Sequence, residues 1–270
     1  MGGSGFLGQE ITRQARLAGD RVVATFHSHA PLTAGVDWRA LDIRRRDKVA
    51  VLVEDIRPAV IINAAFQQAD WTTAADGGVH VAAAAAARGT RLVHVSSDAV
   101  FSGRALRYDE TCVPDPTTPY GAAKAAAETA IKGLDPTAII ARTSLIIGDS
   151  SSQHEAYVHA LASGAKTGAL FTDDVRCPVH VTDLALALLE LARSPYSGIH
   201  HIADAISRHE LRILIEPFRV MPVFRVDSRA GDGRAQRRLA ARSRYAWSGS
   251  TGPTRSATTV RIGTGLRVCR

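Results

Sequence analysis

Along the first 142 residues, short apolar runs alternate with longer segments in which apolar positions recur every three to four residues. The runs 22–26, 36–43, 60–63, 92–96 and 138–142 are β-branched-rich and only four to eight residues long, which predicts buried strands. Between them, segments near 6–17, 47–56, 72–88 and 120–132 carry a helical period. Strands interleaved with helices predict an α/β fold with a parallel, doubly wound sheet. The alanine run Ala82–Ala87 lies between strand signals and therefore reads as a tightly packed helix face.

Beyond Arg142 the pattern loosens. A polar loop spans 148–153, a short helix 154–162, and an irregular or strand-like piece 170–177. An apolar helix follows over 184–193, with Thr182 as its expected N-cap, and 198–203 reads as a further strand. Ser207-Arg-His-Glu210 has the form of a capping box opening a helix that Pro217 ends. The expected organisation is a larger α/β domain over 1–147, rejoined by a segment around 178–203. A smaller domain occupies mainly 148–216, and an atypical, disordered tail runs from 217 to 270.

Charge sharpens that last boundary. From Pro217 onward there are twelve arginines against Asp227 and Asp232, a balance of +10. With +7 overall, the first 216 residues carry −3. The tail lacks lysine, aromatic interleaving and a recognition module, so no nucleic-acid partner is expected. No apolar run approaches the roughly 18 residues of a membrane span. Cys112, Cys177 and Cys269 are too few and too scattered for a disulfide framework or a metal cluster, and a reducing cytoplasm fits best.

The chemistry is concentrated in Tyr120-Gly-Ala-Ala-Lys124. On a helix these two side chains share a face, and a nearby ammonium is expected to lower the phenol's pKa. Such a pair can protonate a carbonyl oxygen or deprotonate an alcohol. With five tyrosines and four lysines in 270 residues, chance supplies roughly 0.07 such pairs, so context must carry the assignment. Upstream, the strand Arg91-Leu-Val-His-Val-Ser-Ser-Asp98 ends in two serines. Gly2-Gly-Ser-Gly-Phe-Leu-Gly8 opens the chain with glycines three apart before an amphipathic helix, an arrangement that lets a phosphate approach the backbone.

In these motifs the chain resembles the extended short-chain dehydrogenase/reductases, and most of all their dTDP-4-dehydrorhamnose reductase-like, sugar-nucleotide-binding branch. The resemblance spans roughly residues 1–216 and rests on Gly2-x-x-Gly5-x-x-Gly8, Leu41-Asp42-Ile43, Asn63-Ala64-Ala65, Ser96-Ser97-Asp98-Ala-Val-Phe-Ser-Gly103, Tyr120-x-x-x-Lys124 and Arg142-Thr-Ser144. It implies a Rossmann-type fold and reduction of a keto group on a nucleotide-activated sugar. Tyr120 would be the acid/base, and Lys124 would tune it and hold the cofactor ribose. Ser97 would bond the substrate oxygen, with Ser96 as the competing candidate. Gly2, Gly5, Phe6, Leu7 and Gly8 would face the pyrophosphate. Asp42 and Ile43 would border the adenine, although Asp42 could equally cap the next helix. Ala64 and Ala65 would approach the cofactor. Asp98, Leu145 and Arg176 would lie on the substrate side. Leu145 stands where the rhamnose-pathway reductases usually carry an aromatic residue.

No acid follows the strand ending at Thr25-Phe26. His27 and Ser28 there would tolerate or bind a 2′-phosphate, which favours NADP(H) over NAD(H). No metal is expected, and a homodimer is a candidate assembly. Two rivals remain: a catalytically silent binding module resembling the methionine adenosyltransferase regulatory subunit, and a sugar-nucleotide epimerase using much the same triad. The resemblance also implies an apolar strand before the glycine loop, which here begins at Met1. The chain as given is therefore expected to lack the first strand and to bind cofactor weakly.

Overall fold

The computed structural model describes residues 1–203 apart from 32, 106, 149–151, 169 and 172–175, together with 225–226 and 266–267. Six α-helices are described: α1 (Phe6–Leu17), α2 (Arg46–Ile56), α3 (Gly77–Ala87), which a π-helical turn over Thr72–Asp76 precedes, α4 (Pro119–Leu134), α5 (Gln153–Ala162) and α6 (Val181–Arg193). The central sheet has four parallel strands in the order β10 (Gly198–Ile202), β6 (Ile139–Thr143), β4 (Arg91–Ser97) and β3 (Val60–Asn63). A separate parallel pair joins β1 (Val23–Phe26) to β2 (Asp37–Ala40). Two-residue strands complete the set: β5 (Arg107–Tyr108) with β12 (Leu266–Arg267), β7 (Ile146–Ile147) with β9 (Val179–His180), and β8 (Leu170–Phe171) with β11 (Arg225–Val226).

Strand alternation builds two cores from the same residues' neighbours. On one face Val93, Ile139, Ala141 and Ile202 meet Leu7 and Ile11 of α1 and Leu184 and Leu188 of α6. On the other, Ile61, Leu92 and Ile140 meet Val49 and Val53 of α2, Val81, Ala82 and Ala85 of α3, and Ala127 and Ile131 of α4. Helices on both faces make the sheet doubly wound. The alanines of α3 allow close packing, with Ala82 and Ala85 fully buried.

Among the described residues, no strand lies between β1 and β3. The first residues of the chain bridge them instead. The Met1 nitrogen donates to the Ile62 carbonyl at 2.7 Å, and the Met1 carbonyl accepts from the Ala64 amide at 3.1 Å. The Gly2 amide donates to Thr25 Oγ1 at 3.0 Å.

Two local expectations are corrected. Thr182 does not cap α6: His180 is extended, and its Nδ1 accepts the Thr182 amide at 3.3 Å. A histidine can accept there, and Thr182 is already inside the first turn. Asp42 does not cap α2, whose N-cap is Arg45 without a side-chain bond; Asp42 closes a tight turn by accepting from the Arg44 amide at 3.0 Å. The 207–210 capping box lies outside the described residues, as does the tail from 217 apart from its two short strands.

Candidate active site

Tyr120 and Lys124 sit one turn apart at the start of α4. Thr118 caps that helix by accepting the Gly121 amide at 3.1 Å, and Pro119 occupies the first turn. Gly121 makes the placement possible, since a Cβ there would overlap the Ala99 carbonyl. The helix end thus presses against the single 3₁₀ turn Asp98–Val100 that follows β4, and Tyr120 meets the end of that strand.

The strand's pleat sends the two serines to opposite sides. Ser96 turns away and donates to Glu128, inside a buried cluster where Arg142 grips the same carboxylate at 2.6–3.1 Å. Ser97 lies on the phenol's side, where its hydroxyl favours the ionised form of Tyr120. It also caps the 3₁₀ turn by accepting from the Ala99 amide at 3.2 Å. Arg142 is fully buried, paired with Glu128 and stacked 4.8 Å from the centre of the Phe101 ring, which makes it part of the floor rather than a contact for substrate.

The expected acidification of Tyr120 is corrected. Its pKa is pushed up to about 12, chiefly by burial, with the Asp98 charge adding and the Ser97 hydrogen bond opposing. Lys124 does not offset this, because its Nζ donates to the Val95 carbonyl at 2.9 Å. Burial lowers the lysine to about 8, against the attraction of Glu128. The phenol is therefore held protonated, the form needed to give a proton to a carbonyl oxygen.

At the other end of the cleft, the glycine loop divides its work. A Cβ on Gly8 would overlap the Gly2 carbonyl, and one on Gly2 would lie 2.6 Å from Ala65 Cα, so both glycines are required by the fold. Gly5 is different. It is exposed, its φ is an ordinary −74°, and an added Cβ would meet only the Gly2 oxygen at 3.4 Å. The open space beside it lies at the N-terminus of α1, which has no side-chain cap and no acid in its first turn. A diphosphate fits such a place, so the loop is compatible with a dinucleotide. Leu7 is core and Phe6 packs partly against that core, so of these two residues only the backbone is open to a diphosphate. Ala64 and Ala65 are half-buried beside the loop.

Past β1 and β2, His27 Nε2 lies 3.7 Å from Asp42 Oδ2, and Ser28 Oγ lies 3.2 Å from His27 Nδ1. An acid thus borders this corner from the neighbouring strand. It is already matched by Arg44, whose guanidinium donates to both Asp42 oxygens at 2.8–3.1 Å and holds the carboxyl at about 2. Ile43 packs its side chain in the core and offers its carbonyl to His80 at 3.0 Å. Leu145 is half-buried and its carbonyl accepts from the Val179 amide at 2.9 Å. Arg176 pairs with Asp98 at 3.2 Å.

Several contributors escaped sequence reasoning. Glu128 had a signal, standing four residues beyond Lys124 on the same helix face. Thr118-Pro119 was a readable N-cap and first-turn pair. The exposed Phe66, whose ring centre is 6.4 Å from that of Tyr120, had none, because that contact joins distant segments, while Arg44 went unnoticed although its partner Asp42 is two residues away.

A family profile described as "RmlD substrate binding domain" matches residues 1–246, well into the arginine-rich stretch where the resemblance was expected to end. A dTDP-4-keto-6-deoxy-D-glucose reductase of Streptomyces niveus is 31% identical over 242 residues, covering 82% of this chain and 80% of that protein. A dTDP-4-dehydrorhamnose reductase of Mycobacterium tuberculosis is likewise 31% identical, over 82% of this chain and 77% of its own length. Among solved structures, a dTDP-4-dehydrorhamnose reductase from Bacillus anthracis in complex with NADP superposes with a TM-score of 0.69 at 25% identity, covering 84% of this chain and 83% of that one.

Proposed function

Because this chain belongs to the RmlD substrate-binding family of extended short-chain dehydrogenase/reductases, we propose that it reduces a keto group on a dTDP-linked or similar nucleotide sugar with NADP(H). It is an NAD(P)-dependent oxidoreductase, and its relatives are sugar-nucleotide reductases. The reading is carried by the Ser97–Tyr120 contact at the end of β4, with Lys124 one turn below on the same helix. Among the described residues no helix is long and apolar enough to cross a membrane, and the proposed place of action is the cytoplasm. Residues 1–147 with 178–203 would form the cofactor half, and 148–216 mainly the substrate half.

The bound cofactor supplies the hydride. Tyr120 gives its proton to the carbonyl oxygen as negative charge develops there, and Ser97 orients that oxygen by hydrogen bonding. Lys124 would hold the cofactor ribose and would stabilise the phenolate that results. The backbone around Gly5 would receive the diphosphate, and His27, Ser28 and Arg44 form the corner that would take a 2′-phosphate.

The direct test is oxidation of NADPH against a panel of nucleotide 4-keto sugars. Turnover with one of them is expected. Cofactor binding without turnover of any sugar would indicate the silent regulatory module, and isomerisation without net cofactor consumption would indicate an epimerase. A separate expectation concerns the cofactor. NADPH should bind more tightly than NADH by roughly 1–2 kcal/mol, the scale of a charge-assisted hydrogen bond. Fluorescence titration of both decides it, and equal or reversed affinities would remove the argument from His27 and Ser28.

A further inference from the structure

Asp98 stands where three segments meet. It follows Ser97 directly, and its Oδ1 accepts from the Ser97 hydroxyl at 3.3 Å. Its Oδ2 accepts from the Ser144 hydroxyl, just past β6, at 2.6 Å and pairs with Arg176 Nη1 at 3.2 Å. The same Ser144 oxygen accepts the Cys177 amide at 3.2 Å. Residues 176 and 177 therefore reach Asp98 by two routes, one ionic and one through Ser144. The aspartate side chain is 13% exposed, so its bonding capacity is largely used inside the protein.

We infer that Asp98 is a positioning residue that holds the Arg176–Cys177 segment in register with the Ser97–Tyr120 pair. The inference rests on the reductase reading above and gives Asp98 a different role from direct substrate contact. A carboxylate that already takes two hydroxyls and a guanidinium has little left for a sugar hydroxyl. Its placement couples two things a reductase must keep aligned: the segment on the substrate side and the group that delivers the proton. It also acts on the proton itself, since its charge disfavours the Tyr120 phenolate. Among the described residues, the charged groups beside this pair include Arg176 on the Asp98 side and, on α4, Lys124, which is tied to Val95.

Asp98→Asn keeps the shape and removes the charge. In the ligand-free protein, amide exchange at Cys177 should accelerate by about tenfold or more while exchange at Leu92 and Val93 stays slow. In turnover, KM for the keto sugar should rise by roughly tenfold, more than kcat falls. The alkaline limb of the pH profile should move to lower pH, because removing the negative charge eases ionisation of Tyr120. Ser144→Ala, which cuts only the neutral route, should reproduce the exchange and KM effects and leave the limb in place. Hydrogen exchange needs no substrate, so it tests the coupling even if the keto-sugar reading fails. Unchanged Cys177 exchange in both variants overturns the inference. So does acceleration spread evenly over the chain, which would make Asp98 a general stability residue. A pH limb that stays put in Asp98→Asn also overturns it.

Discussion

Tyr120→Phe is expected to lower kcat by at least about 10²-fold, or about 2.7 kcal/mol of transition-state stabilisation, while leaving cofactor affinity nearly unchanged. The phenol is held protonated by its burial, and it faces Ser97 at the end of β4. Removing one oxygen deletes the proton donor and leaves the ring packing, including the contacts with Ala74, Ala75 and Ala123. The loss should therefore appear in kcat and kcat/KM, with little change in Tm. Steady-state kinetics alongside a cofactor titration separates the two. Undiminished turnover in the variant would take Tyr120 out of the mechanism.

The second large effect separates two glycines three residues apart. Gly8→Ala drives a methyl group into the Gly2 carbonyl, a rigid backbone atom that cannot swing aside. Overpacking of that kind costs up to about 3 kcal/mol, which for a chain of this size lowers Tm by roughly 6–12 °C. Gly5→Ala meets only one atom, at 3.4 Å, and adopts an unstrained φ, so the fold should tolerate it. Its methyl group would instead occupy the space into which a diphosphate must come. Cofactor affinity should fall by at least about tenfold, or about 1.4 kcal/mol, with Tm barely altered. Thermal melts and cofactor titrations of the two variants form the test. If Gly5→Ala binds as tightly as the parent chain, the loop is not where the diphosphate sits.

How far these sites were legible depends on the range over which each was decided. The order of strands and helices, the paired faces of the sheet and the shared face of Tyr120 and Lys124 follow from backbone periodicities of 2.0 and 3.6, which every stretch of the chain carries locally. The glycine spacing and the Ser-Ser strand end are local in the same sense, and together with the Tyr-Lys pair they pointed to the family. What periodicity could not supply was the through-space environment. The sign of the Tyr120 shift was set by burial and by Asp98, with Lys124 engaged by a carbonyl of β4. Local spacing suggested the opposite sign because it saw the lysine and not the enclosure. The choice of Ser97 over Ser96 required the register of β4 against β6 and the buried pair of Glu128 and Arg142 that claims Ser96. The capping role of His180, the meeting of His27 with Asp42 just past the ends of two paired strands, and the joining of Asp98 to Arg176, 78 positions further along the chain, all arise from tertiary packing. Local geometry is dictated by the backbone of each segment alone. Electrostatics and hydrogen-bond partnership depend on which distant groups share a low-dielectric space, and only the folded chain decides that.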